Sequence, residues 1–272
     1  RPLGTGGTVA LGGGTSLRRV EEGEIHFGGG RDNVTTDGID IDLYLGGGND
    51  TATVIVDNDY DGAIIDGEAG DDRLYGGQGY DLLKGGGGND LLVGNGGIDT
   101  LRDAGGGNDT LQGGDGWDYL EDSGGGNDLL SGGADGDVLV DSGGGNDRLE
   151  GGSGNDELTG GLGADRLTGG SGDDTFRFAS VEESSAEASD IITDLQDNDL
   201  IDILYIDADE GAWGGQAFTL VNGFTGLAGQ LMRSYDATAK ITWFLGDTDG
   251  DKQADLRIGA NGDHRDFSNF WL

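Results

Sequence analysis

Gly85-Gly86-Gly87-Gly88-Asn89-Asp90-Leu91-Leu92-Val93 is one of twelve nine-residue units of the form Gly-Gly-x-Gly-x-Asp-x-Leu-x that fill residues 67–177. The units open at Gly67, Gly76, Gly85, Gly94, Ala104, Gly113, Ser123, Gly132, Ser142, Gly151, Gly160 and Gly169. Aspartate holds the sixth position throughout, and leucine holds the eighth until Phe176 closes the series. A flexible Gly-rich linker would not keep Asp and Leu locked two residues apart through twelve units.

The spacing predicts a fold. Glycine permits positive φ and lets backbone carbonyls crowd one centre. The first six positions therefore read as loop, and x-Leu-x as a short strand with Leu pointing inward. Each strand is followed by a reversing turn, so successive units lie on opposite sides of a flattened coil. Two units make one coil, and each Asp turn stacks on the turn two units earlier. The period and pattern are those of a calcium-binding parallel β-helix. One leucine per nine residues is little apolar area with which to order so Gly-rich a backbone, and the stacked aspartates repel one another, so a cation has to complete the structure.

Calcium takes six to eight oxygens, from carboxylates and carbonyls together. The expected carboxylate ligands are Asp72, Asp81, Asp90, Asp99, Asp109, Asp118, Asp128, Asp137, Asp147, Asp156, Asp165 and Asp174. The expected carbonyl ligands come from the second and fourth positions: Gly77, Gly79, Gly86, Gly88, Gly97, Gly105, Gly107, Gly114, Gly116, Gly124, Gly126, Gly133, Gly143, Gly145, Gly152, Gly154, Gly161, Gly163, Gly170 and Gly172. Six turns on each side leave five gaps on each, so about ten Ca²⁺ are expected in the core roll.

The flanking residues extend the pattern in two ways. Residues 1–66 read as degenerate early coils, with loops at Gly28–Val34 and Gly46–Ala52, candidate ligands Asp32 and Asp50, and strands longer than those of the core at Ile39–Leu43 and Val54–Val56. Residues 67–178 are the repeat roll. Residues 179–272 lose glycine and gain aromatics, and read as an antiparallel β cap, with a short helix or loop at Val181–Ala188 and β-like runs at Ile191–Ile192, Leu200–Ile206, Phe218–Val221, Ile241–Leu245 and Leu256–Ile258. The fold class is all-β: a parallel β-roll of Gly-rich nonapeptides with a C-terminal antiparallel cap.

Asp103, Asp122 and Asp141 break the period as single insertions before the fifth, seventh and ninth units, all on one edge. Two readings stand: a bulge that relaxes the turn, or a column of extra carboxylates bridged by a second, outer row of cations. Asp247, Asp249, Asp251 and Asp255 have a spacing similar to that of calcium loops. They are read either as an ion site or as a charged hairpin, with Lys252 and Ile258 at odds with an EF-hand.

The formal net charge of −38 disfavours nucleic acid and anionic membranes as partners. No cysteine is present, which rules out disulfides and thiol chemistry. No apolar run is long enough to span a membrane. The stretch Arg1-Pro2-Leu3-Gly4 has no signal-peptide pattern and reads as a cut edge.

Several motifs together make the chain similar to the C-terminal part of serralysin-type secreted metalloproteases and related repeats-in-toxin proteins. They are Asp173–Phe178, Asp190–Leu195, Leu200–Ile203, Phe224–Leu231 and Gly246–Leu256. Alginate epimerase R-modules look like more distant relatives. The resemblance implies a calcium-loaded roll, a secreted protein and a C-terminal region read by type I secretion machinery. Asn269-Phe270-Trp271-Leu272 departs from the family's acidic ending. The family's protease half needs His-Glu-x-x-His, whereas His26 and His264 are isolated and read as structural. No catalytic set appears, so the chain is expected not to be an enzyme. The alternative function is an adhesin or polysaccharide-binding module, with Tyr80, Trp117 and Tyr119 as sugar-stacking candidates and a polysaccharide or a fused upstream domain as the expected partner.

Overall fold

A computed structural model describes residues 9–10, 16–18, 23–36, 41–55, 62–209 and 215–272. Ile39, Asp40 and Val56 of the expected early strands, and the Arg1–Gly4 stretch, lie outside the described residues. Among the described residues there is no helix. The chain forms two compact units, residues 1–139 and 140–272.

In the first unit the units of sequence alternate between two parallel sheets. One sheet carries Ile64–Ala69, Leu82–Gly87, Thr100–Asp103 and Tyr119–Asp122, and the other Arg73–Gly79, Leu91–Gly97, Thr110–Asp115 and Leu129–Ala134. Register follows the repeat: Leu92 lies opposite Leu74 on one side and Leu111 on the other, and Leu83 lies between Ile65 and Leu101. These leucines are fully buried, one per strand, so each sheet gives a column of apolar side chains to the space between them. The two-units-per-coil arrangement inferred from the period is therefore the one found.

Two expectations about strand length do not hold. Strands on the second sheet run through the glycines, as Arg73–Gly79 and Leu91–Gly97 do, because loop residues also pair from coil to coil: Asn95 lies opposite Gly77 and Gly97 opposite Gly79. Glycine without a side chain lets adjacent turns approach closely enough for that ladder. Among the described residues, the early strands in turn do not exceed the core ones. Asn33–Thr36, Ile41–Tyr44 and Thr51–Val54 have four residues each, against seven in Arg73–Gly79.

In the second unit the parallel ladder continues beyond the nonapeptides. Leu167 pairs with Ile192, and Phe176 with Ile201, which in turn pairs with Phe270. Leu256–Asn261 is the hinge of the architecture. It is parallel to Ile191–Ile192 on one side and antiparallel to Ile241–Asp247 on the other, and Ile241–Asp247 pairs with Gln230–Asp236. Antiparallel strands thus close the C-terminal end, packed around Phe244, Phe267 and Phe270 with ring centroids 5.2–5.8 Å apart. Residues 181–188 are turns, and the strand expected over Leu200–Ile206 stops at Asp202, where the chain turns.

Candidate metal centres

The sixth-position aspartates are buried, at 5% exposure or less. A Leu-x-x-x-x-x-x-Asp-x-Leu spacing points both side chains inward, because the turn between them brings Asp back to the inner face.

Each carboxylate uses its two oxygens differently. Oδ1 accepts the backbone N–H of the corresponding aspartate one coil earlier. On one edge the links are Asp32 to Asp50 (2.6 Å), Asp50 to Asp72, Asp72 to Asp90, Asp90 to Asp109 and Asp109 to Asp128 (each 2.7 Å). On the other edge Asp81, Asp99 and Asp118 donate to Asp99, Asp118 and Asp137 (each 2.8 Å). Inside the second unit Asp147 and Asp156 donate in the same way to Asp165 and Asp174. The candidates Asp32 and Asp50 thus belong to the same ladder.

The second oxygen is the one available for chemistry. Oδ2 of Asp72, Asp81, Asp99, Asp109, Asp118 and Asp174 is buried with no hydrogen-bond donor. In all of these but Asp109, whose repeat opens at Ala104, it lies over the first-position glycine of its own repeat: a Cβ on Gly94 would stand 2.2 Å from Oδ2 of Asp99 and 2.7 Å from the carbonyl oxygen of Gly113. Other loop carbonyls face the next turn. Those of Gly86 and Gly88 are aimed at Gly105 and Gly107 one coil on, where added Cβ atoms would lie 1.5 and 1.7 Å from them. Where the first position is glycine, a side chain there would collide with the aspartate, just as one at Gly105 or Gly107 would collide with a carbonyl. That signal was present in the repeat itself, but only the fold shows what it avoids.

Isolated carboxylates in such a place resist ionising. Burial, with Asp81 and Asp118 adding repulsion, pushes Asp99 up to about 8, against the opposing hydrogen bond from Asp81. Burial likewise raises Asp81, Asp72, Asp118, Asp109 and Asp174 to about 6. The donor set is entirely oxygen, anionic and carbonyl, in stacked turns. It suits a hard, calcium-like cation and offers nothing to a soft one.

The row has a built end. Asp165 donates to Asp190 and Asp174 to Asp199, so these two aspartates continue the ladder outside the nonapeptides. Each is followed by the same apolar pattern, in Asp190-Ile191-Ile192 and Asp199-Leu200-Ile201, a signal in the sequence that the glycine pattern obscured. Beyond the last repeat, side-chain amides reach the loop carbonyls: Gln196 Nε2 donates to Gly170 O (2.6 Å) and Asn198 Nδ2 to Gly172 O (2.5 Å). Asp194 accepts from the Gly169 and Gly170 N–H groups. Neutral donors close the final turn.

Asp103 and Asp122 do not form an outer row. Both are buried, and Asp103 lies opposite Asp122 in the ladder. Arg102 pairs with Lys84, which puts Asp103 over Gly85, in the place of a first-position glycine. The added residue of the longer turn is therefore Ala104 or Ser123, and the aspartate points in. Asp141 is buried as well, and its Oδ1 accepts the Gly143 N–H at 2.9 Å.

In the C-terminal loop, carboxylate oxygens of Asp247, Asp249 and Asp251 lie within 4.8 Å of one another. Asp255 does not join them. It accepts from Thr248 N and Oγ1 instead, at 2.8 and 2.7 Å. Asp247 in turn caps the N–H groups of Gly250 and Lys252. His26 stacks on Tyr44 at 4.5 Å, and His264 bonds the Asn261 carbonyl.

The family described as Peptidase M10 serralysin C terminal matches residues 22–271. The chain belongs to the serralysin C-terminal family. This family's part of a serralysin does not include the protease. Among solved structures, the chain is similar to the AlgE6R2 subunit of the Azotobacter vinelandii mannuronan C5-epimerase, with 25% identity and a TM-score of 0.37 over 67% of this chain and 92% of that one. It is also similar to the AlgE6R3 subunit of the same epimerase, with 26% identity and a TM-score of 0.33 over 68% and 78%. No curated protein sequence matches this serralysin C-terminal chain.

Proposed function

We propose that this serralysin C-terminal chain is a calcium-driven folding module of a secreted protein, held open inside the producing cell and folded outside it. The observation that carries the reading is the column of buried Oδ2 atoms without donors beside rows of loop carbonyls. Asp72 through Asp174 supply the carboxylates, the second- and fourth-position glycines supply carbonyls, and about ten ions fill the gaps between turns. The amides of Gln196 and Asn198 support the same reading, since they put positive hydrogens on such carbonyls where the row ends.

The linkage is steep because the sites are many. At ten times Kd each site adds about 1.4 kcal/mol, so ten sites add roughly 14, comparable with the stability of a whole domain. At a tenth of Kd each adds only about 0.06 kcal/mol, and a chain of net charge −38 stays open. An open chain is the form that type I export machinery takes. The test is circular dichroism and limited proteolysis with excess calcium and with excess chelator. Calcium-dependent β structure is the expected result; a β-rich, protease-resistant chain in chelator overturns the reading.

A second reading, as a polysaccharide-binding module, rests on one feature. Tyr80, Ile98 and Trp117 follow registered loop glycines in successive turns of one edge and are 49%, 46% and 51% exposed. Tyr80 and Ile98 line a groove of about 310 Å³ together with Gln78, Asp115 and Asp135, and Trp117 follows the groove residue Gly116 at its border. The aromatics are thus aligned and not scattered, although Tyr119 is not among them; it lies under Arg102. The acidic rim and net charge favour a neutral glycan over a polyuronate. Retention of the calcium-loaded chain on insoluble neutral glycans, lost in Y80A/W117A, is the expected result; equal retention of both proteins excludes this groove.

A further inference from the structure

The two edges of the first unit are not equivalent. On the edge of Asp81, Asp99 and Asp118, the first-position register holds Gly76, Gly94 and Gly113, and each gap between turns draws on sixth-position carboxylates only. On the other edge, Asp103 and Asp122 stand in that register and bring a third carboxylate into the gap. One oxygen each of Asp90, Asp103 and Asp109 lies within 4.8 Å of the others, and the same holds for Asp109, Asp122 and Asp128. All five residues are buried.

Proximity of acids alone would not make a site. The further observation is where the second oxygen of Asp103 goes. Its Oδ1 is engaged by the Gly105 N–H at 2.9 Å, while Oδ2, buried and without a donor, is aimed inward over Gly85. A Cβ on Gly85 would meet Oδ2 of Asp103 at 2.0 Å and Oδ2 of Asp90 at 2.7 Å, so the two oxygens face the same small volume. No lysine or arginine ion pair among the described residues reaches Asp90, Asp103 or Asp109. The Oδ1 of Asp122 is anchored in the same way by the Gly124 N–H, at 2.8 Å.

We propose that the Asp90/Asp103/Asp109 and Asp109/Asp122/Asp128 gaps form a separate, tighter class of calcium-sized cation sites, which fill first on the way up and empty last on the way down. The proposal rests on the calcium reading above and adds to it an order of filling set by this chain's own extra carboxylates. Charge count and rigidity tune calcium sites of otherwise similar build over several decades of affinity. Three converging carboxylates on a buried, hydrogen-bonded frame have more of both than the two-carboxylate gaps of the opposite edge.

Calcium titration calorimetry on the full chain reads the proposal directly. The wild-type isotherm is expected to show two phases, with at least two ions bound about tenfold or more tighter than the rest. In D103N/D122N the amide oxygens still accept from Gly105 and Gly124, and the tight phase loses two ions or weakens by about tenfold. D103N alone loses one. D236N removes an exposed charge at the start of a turn far along the chain from both gaps, keeps the acceptor for the Thr238 and Ala239 N–H groups, and leaves the tight phase unchanged. A single-phase wild-type isotherm overturns the proposal, as does a tight phase unaltered in D103N. No calcium uptake by the wild-type chain would instead remove the reading on which the proposal stands.

Discussion

The backbone N–H of Asp90 donates to Oδ1 of Asp109, 2.7 Å away and nineteen residues further along the chain. One carboxylate therefore joins two coils and presents its other oxygen to the gap between them. The structural role and the proposed ion-binding role are separable in such a residue, because an amide keeps the first and loses the second.

Asp118 tests that separation. Asp118→Ala leaves the Asp99 N–H without its 2.8 Å acceptor in a buried position, at a cost of about 1–3 kcal/mol. Asp118→Asn keeps an acceptor and removes a charge that repels Asp99. Chemical denaturation in saturating calcium is expected to show Asp118→Ala clearly destabilised and Asp118→Asn less so. Metal analysis should show a loss of calcium in both.

Glycines that look alike in sequence differ in consequence. Gly94→Ala puts a methyl 2.2 Å from Oδ2 of Asp99 and has to displace the carboxylate or the backbone, at about 1–3 kcal/mol, with a higher calcium midpoint. Gly87→Ala meets nothing within 4 Å and is expected to stay within about 0.5 kcal/mol of the parent. Equal midpoints for the two variants would contradict the placement of the Asp99 carboxylate.

The apolar column is one leucine wide. Leu111 is fully buried between Leu92 and Leu130, and Leu111→Ala is expected to cost about 2–5 kcal/mol. With so few apolar side chains per coil, that loss should raise the calcium needed for folding, as followed by circular dichroism across a calcium titration.

The period of the chain carried most of this. A nine-residue repeat with Leu at the eighth position specifies strand, turn and two-unit coil, so the register of Leu92 on Leu74 is legible in the sequence. What the repeat did not disclose was direction. The insertions at Asp103 and Asp122 look like outward bulges in a linear text, because the residue that lengthens the turn is the Ala or Ser after them. Asp190 and Asp199 were hidden for a different reason: their turns have lost the glycines while keeping Asp-x-apolar. The strand Gln230–Asp236 has mixed polarity and half-buried side chains, so no alternation announced it; its pairing with Ile241–Asp247 defines it.

On the proposed calcium reading, protons and calcium compete for the same oxygens, which fixes the sign of the pH dependence. An aspartate raised to about 8, as Asp99 is, or to about 6, as Asp81 and Asp118 are, binds more protons in the calcium-free fold than in the unfolded chain, where the ordinary value is 3.8. The folded pKa lies above the unfolded one, so this contribution to the metal-free fold is complete below about 3.8 and is lost as pH rises through about 6 to 8. In chelator, the chain is therefore expected to gain β structure on going from pH 8 to pH 5. With calcium the slope reverses, because binding needs the carboxylates ionised and releases the protons they hold. The calcium midpoint should move to higher concentration at pH 5 than at pH 8, and proton release on calcium addition should be measurable in weakly buffered solution near pH 7. A calcium midpoint independent of pH across this range would mean that the buried aspartates are not the ligands.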